Sequence, residues 1–199
     1  MLKLKPILVF ACGCLLIYGL LIVPWPGAKP LYASYFRSLG WLVFAGHGDQ
    51  RMLEFQPLND PEHHWPPNFD TAIIMGNRDM QSMGGGQRFM LTVDAWQMGW
   101  TPTAFLAALT LASPVSWRRR SWALLWGLLL VHGFVLLTLG IFIGNESTRL
   151  YWVTLAPLGK EIANWLERVA LAPIGPSFFA AALIWMLVTF RWQDLTGKA

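Results

Sequence analysis

Four apolar runs of about twenty residues each, at 6–25, 99–117, 122–143 and 174–190, constrain this chain more than any other feature it has. A helix needs about 20 residues to cross the ~30 Å hydrocarbon core of a bilayer. Inside that core only helix can satisfy every backbone N–H and C=O of such a run. The pattern predicts a membrane α-helical fold with four transmembrane helices. Composition agrees, with 55% apolar and 13% charged residues, about half the charge share of a soluble domain. The net charge of +4 does not point to nucleic acid, and no nucleic-acid partner is expected. Its densest cluster, Arg118-Arg119-Arg120, falls in the short gap between the second and third runs, where cations orient a membrane protein.

Orientation follows from those cations. Lys3 and Lys5 precede the first run, the Arg triplet separates the second and third, and Arg191 and Lys198 follow the fourth. If every run crosses once, all three groups share one side, which the positive-inside rule makes cytoplasmic. The sequence therefore predicts a first helix within 1–25, an outer region 26–98, a second helix 99–117, and a cytoplasmic Arg turn 118–121. A third helix 122–143, an outer loop 144–173, a fourth helix 174–191 and a cytoplasmic tail 192–199 complete the order, with both termini inside. The first run has the basic start of a secretory leader, but its apolar stretch is long and no small-x-small cleavage site follows. It is expected to stay as an anchor. Cys12 and Cys14 lie two apart on that helix, so they point to different sides and read as small packing residues.

The outer region changes character along its length. Residues 31–45 (LYASYFRSLGWLVFA) are aromatic and moderately amphipathic, as expected of a helix lying in the membrane interface. From 50 to 96 the period switches. Short β-like stretches around Met52–Pro57 and Asp70–Met75 precede 87–96, where Phe89, Leu91, Val93 and Ala95 alternate with Arg88, Met90, Thr92 and Asp94. Turn clusters at 59–61, 65–68 and 84–86 separate them. The expectation is a small antiparallel sheet of three or four strands. About fifty residues without disulfide or metal cannot sustain a core alone, so the sheet must lean on the membrane, on another part of the chain, or on a partner. In the second outer loop, Leu158, Ile162, Trp165, Leu166 and Val169 recur at helical spacing and predict an amphipathic helix over 158–169.

Trp25, Trp100, Trp117, Trp122 and Trp192 sit at predicted span ends, as interfacial belt residues do. Trp126 and Trp185 lie deeper and are expected to fill helix contacts or to face a bound lipid or pigment. His132, at the middle of the third run, is an ionisable group at mid-membrane depth and so a functional candidate. Its imidazole could bond a hydroxyl on a neighbouring helix, such as Thr110 or Tyr18. It could instead ligate a haem- or chlorophyll-type tetrapyrrole, beside Gly133. Met75, Met80, Met83 and Met90 with His63 and His64 form a set whose thioethers and imidazoles suit copper. No carboxylate pair, nucleophile with partners, or phosphate-binding loop emerges from the spacing, and no enzyme activity is expected.

The stretch 91–130 has a recognisable order of parts. The last strand runs straight into a span that begins Gly99-Trp100-Thr101-Pro102 and closes on Ser113-Pro114-Val115-Ser116-Trp117-Arg118-Arg119-Arg120. In this it resembles the exosortase-H-associated type of small bacterial inner-membrane accessory protein. The resemblance covers about a fifth of the chain and implies an accessory role with no catalytic residues. Together with the topology it leads to a multi-pass bacterial inner-membrane protein with a periplasmic β segment. The expected function is a non-catalytic structural or assembly subunit contacting other integral membrane subunits and lipids, in a photosynthetic, respiratory or secretory complex, with a slight lean to a reaction-centre or antenna. The alternatives are tetrapyrrole binding through His132 and periplasmic copper handling through the Met/His set.

Overall fold

The computed structural model describes residues 4–44, 51–58, 68–77, 89–149, 161 and 175–190. The chain divides into two compact units, residues 24–100 and residues 1–23 with 101–199. The fold is mostly helical, with two helices long and apolar enough to cross a membrane and a small three-stranded antiparallel sheet.

The unit of residues 1–23 with 101–199 is a helical assembly of α1 (Leu4–Ile22), α3 (Thr101–Ala112), α4 (Trp117–Arg149) and α5 (Gly175–Thr189). The short α3 is its hub and packs against each of the other three. Small residues permit the close approach. A Cβ on Gly13 of α1 would meet Ala112 at 3.7 Å, and one on Gly127 of α4 would meet Leu106 at 3.0 Å. Cys14, Ala108 and Leu109 form one buried cluster, and Leu106, Val131 and Ala181 another. Rings from three helices close the first cluster: Tyr18 lies edge-on to Phe105 at 5.6 Å, and Phe105 edge-on to Phe178 at 5.0 Å. Cys14 is buried and Cys12 exposed, as their spacing requires.

The outer faces of α1 and α4 stay apolar. Leu8, Val9, Leu15 and Leu16 on α1 and Leu125, Leu129 and Leu137 on α4 are all exposed. Only 6% of α1's membrane-length stretch is buried, and 33% of α4's. A soluble protein's apolar helix would instead be mostly covered.

The expectation of four full-length spans needs correcting in detail, because α3 has 12 residues, about 17 with the π-helical turn 96–100 that runs into it, and the described part of α5 has 15, all short of the ~20 that a crossing takes. The second run is cut by Pro114, whose ring clashes with the helix and which also disfavours helix at Ser113. The expected Arg turn 118–121 is likewise not a loop. Arg118, Arg119 and Arg120 lie in the first turn of α4, and the connection is 113–116. At its other end α4 passes the expected limit at 143 and continues to Arg149. The face that buries Val131, Val135, Leu139 and Ile143 goes on to bury Asn145 and Glu146. Burial of that stripe outweighs the terminating signal of Gly144-Asn145. The predicted helix 158–169 and the tail 192–199 lie outside the described residues, apart from helical Glu161.

The unit of residues 24–100 contains α2 (Ala28–Phe44), strands β1 (Arg51–Pro57), β2 (Thr71–Asn77) and β3 (Phe89–Val93), and a π-helical turn, Trp96–Trp100. Gly27, at φ 82°, supplies the left-handed residue that turns the chain into α2. The strands run in sequence order, with Leu53 opposite Met75, Phe55 opposite Ile73, and Ile73 opposite Leu91. The alternation in β3 falls as expected, with Leu91 and Val93 buried and Met90 exposed. That inner face, centred on the fully buried Ile73 and Met75, is covered by α2, which packs on β1. Tyr32, Ala33, Phe36 and Gly40 are the buried stripe of α2, and Gly40 lies so close to the Phe55 ring that a Cβ there would sit at 2.6 Å. The sheet thus leans on a helix of its own unit.

Candidate functional site

The 113–120 segment gathers polar contacts from several elements of the helical unit. Ser113 is fully buried. Its hydroxyl donates to Leu109 O at 2.7 Å and accepts from Trp185 Nε1 at 2.8 Å. Its carbonyl accepts from Val115 N and from the Arg120 guanidinium, both at 2.8 Å. Arg120 also reaches Val115 O at 3.5 Å and stacks over the Trp117 ring at 5.0 Å. Trp185 in turn stacks on Phe10 at 5.6 Å. Side chains of α1, α4 and α5 therefore meet at the turn that ends α3, where Arg120 bonds two of the turn's carbonyls.

Arg118 and Arg119 do something different. They line an open groove of about 890 Å³, whose wall is Trp122, Trp126 and Leu130 of α4 facing Leu187 and Val188 of α5. Positions 118, 122, 126 and 130 are four apart and form one stripe along α4. The first turn of α4 contains no acid, so both cations stand at the positive end of the helix dipole, a placement that costs ~0.3–1 kcal/mol each.

The remaining predicted residues are placed as follows. His132 is half-buried on α4, and its Nδ1 lies 2.8 Å from Leu128 O. A carbonyl only accepts, so Nδ1 is the donor in this contact. Thr110, the suggested partner, bonds Leu106 O of its own helix at 2.8 Å. Open space surrounds Gly133, where an added Cβ would meet nothing within 4 Å. Met75 is fully buried in the sheet between Leu53 and Phe89, whereas Met80, Met83, His63, His64 and Trp192 lie outside the described residues. Among the described residues no group of three His, Cys, Asp or Glu could hold a metal. Trp25, Trp117 and Trp122 are exposed, as belt residues are. Trp100 instead packs on Tyr32, at 5.4 Å, and on Trp96, at 5.2 Å.

One grouping was not visible in the sequence. Asp70 and Asp94, twenty-four residues apart, come together where β2 begins and β3 ends. Asp94 Oδ1 accepts from Gln97 N at 3.0 Å and caps the π-helical turn. Asp70 Oδ1 accepts from Ala95 N at 3.1 Å and from the Thr71 hydroxyl at 2.9 Å. The Asp70 carbonyl accepts from Arg37 at 3.3 Å. Burial raises the Asp94 carboxyl above its ordinary pKa, and nearby Asp70 adds to this, while the Gln97 amide and Lys29 oppose it. Both carboxylates are engaged in joining strand ends to a helix. The available signal was Asp94 before Ala95-Trp96-Gln97, an N-cap pattern that strand alternation masks.

The fold and its two units define a helical chain with membrane-length apolar helices and a small helix-backed sheet. Comparison with known protein families, curated proteins and solved structures finds no match.

Proposed function

We propose that this chain is a non-catalytic scaffold or assembly subunit of a bacterial inner-membrane complex. In this reading it threads the bilayer four times, has both termini in the cytoplasm, and presents residues 24–100 on the periplasmic side. The observation that carries the membrane part is the exposure of α1 and α4, whose apolar stretches are only 6% and 33% buried. Such surface is stable against lipid or other membrane helices, not against water. The short α3 is sheltered by α1, α4 and α5, so protein rather than lipid meets most of its surface. α5 crosses with local thinning, at a cost of a fraction of a kcal/mol per Å of mismatch.

Two further observations support a scaffold role. The polar side chains of Ser113, Arg120, Thr110, Asp70 and Asp94 make bonds that hold turns and helix ends. α2 is apolar on both sides. Beyond its buried stripe it exposes Leu31, Tyr35, Trp41 and Leu42, a surface that suits the membrane interface and a partner subunit seated there. The resemblance to exosortase-H-associated accessory proteins fits the same role.

The test is purification from native membranes in mild detergent, with native electrophoresis and mass spectrometry of what accompanies the chain. The proposal expects a stoichiometric complex with other integral membrane proteins, and expects Trp41→Ser with Leu42→Ser to release the partner without unfolding the chain. A folded, monodisperse chain recovered alone contradicts it. A second reading, tetrapyrrole ligation as in a photosynthetic complex, is favoured by one geometric fact: half-buried His132 stands beside Gly133, where an added Cβ would meet nothing within 4 Å. A Soret or near-infrared band that His132→Ala abolishes would establish it.

A further inference from the structure

We propose that the groove between α4 and α5 is a binding site for one anionic phospholipid of the cytoplasmic leaflet. Arg118 and Arg119 would hold its phosphate, and Trp122, Trp126, Leu130 and Leu187 would line an acyl chain. The inference rests on the membrane reading above and adds a ligand to it.

Charge, length and surface chemistry agree on this occupant. Arg118 and Arg119 sit at one end of the groove, where the helix dipole makes cations unfavourable and a bound phosphate would offset that cost. Arg120, the third member of the triplet, bonds Ser113 O and Val115 O, while Arg118 and Arg119 line the groove. From Arg118 to Leu130 the stripe runs twelve residues, roughly 18 Å at 1.5 Å per residue. Half of the ~30 Å hydrocarbon core is ~15 Å, so the groove has the depth of a single leaflet. Below the arginines its wall is apolar and aromatic, and Trp126 and Leu187 are well exposed, at 52% and 76%. A free phosphate would use only the top of the groove. A lipid would use all of it.

Native mass spectrometry of the full chain, released from detergent micelles containing phosphatidylglycerol or phosphatidylcholine, tests the proposal. One phosphatidylglycerol should be retained in preference to phosphatidylcholine. Each arginine near anionic lipid is worth ~1 kcal/mol, or about 5-fold, so Arg118→Gln with Arg119→Gln should weaken retention roughly 30-fold. Trp126→Ala should weaken it without changing charge, and Lys5→Gln, which removes an exposed charge outside the groove, should leave it intact. Equal retention of the two lipids overturns the proposal, as does an equal loss in Lys5→Gln, which would indicate non-specific attraction. Saturation by inorganic phosphate that blocks phosphatidylglycerol, with Trp126→Ala unaffected, would assign the site to a free anion and also overturn it. Resistance of the wild-type chain to carbonate extraction from membranes reports insertion separately, so failure of the lipid site and failure of the membrane reading are distinguishable.

Discussion

Breaking the bond between Trp185 and Ser113 should measurably loosen the helical unit, because it joins α5 to the end of α3 at a fully buried position. The Nε1–H donates to the Ser113 hydroxyl at 2.8 Å, and the indole stacks on Phe10 of α1 at 5.6 Å. Trp185→Phe removes the donor and keeps most of the ring. Ser113→Ala removes the acceptor, together with the hydroxyl's own bond to Leu109 O. A buried hydrogen bond contributes ~0.5–1.5 kcal/mol net, and interhelical bonds in membranes average ~0.6 and reach ~1.7 kcal/mol. Each single variant should therefore lose about 1 kcal/mol. A double-mutant cycle should return a coupling of about 0.6–1.5 kcal/mol, since once either partner is gone the other substitution no longer breaks the pair. Trp185→Ala should cost more, about 3–5 kcal/mol, because a cavity opens and the stacking on Phe10 is lost. The assay is reversible unfolding of the full chain by increasing SDS in mixed micelles, followed by far-ultraviolet circular dichroism. Additive single losses, with coupling below ~0.3 kcal/mol, would refute the claim that this pair ties α3 to α5.

Other outcomes follow from the sheet-bearing unit and from Arg120. Phe36→Ala, at a position 3% exposed on the sheet-facing stripe of α2, should destabilise residues 24–100 by about 3–5 kcal/mol, read as earlier proteolysis of that segment in the full chain. The raised Asp94 pKa means that its contribution to stability is fully present below the ordinary value of 3.8 and is lost as pH rises through the folded value. Asp94→Asn keeps a cap for the Gln97 amide, so thermal melts across acidic pH should show a flatter profile and no loss at neutral pH. Arg120→Gln should cost about 1–3 kcal/mol, since it removes charge-assisted bonds to two carbonyls; matching stability in SDS titration would mean that those bonds are not needed to hold the turn.

Much of the fold was legible because burial follows period. The alternation of Phe89, Leu91 and Val93 marked β3 and its inner face, and the aromatic stretch at 31–45 marked α2, which starts three residues earlier at Ala28. What the pattern missed were places where tertiary contacts override local polarity. Three consecutive arginines read as a loop, yet arginine is a good helix former, and with Pro114 ending α3 the next helix begins at Trp117 and takes all three. The third span was expected to end at 143, yet the buried stripe of α4 continues through Asn145 and Glu146. The pairing of Asp70 with Asp94 depends on the strand register that sets Thr71 opposite Val93, and no local spacing encodes it. The groove was half-legible. Trp126 could be placed at depth by counting along α4, but its facing wall of Leu187 and Val188 required the packing of α5.

The proposed topology, with Arg119 on the cytoplasmic side of one membrane and Gln56 on the periplasmic side, is tested most directly by labelling single cysteines with a membrane-impermeant maleimide. In a chain lacking Cys12 and Cys14, Gln56→Cys on exposed β1 should react in intact spheroplasts, and Arg119→Cys only after permeabilisation or in inverted vesicles. Labelling of both positions from the same side would contradict the account.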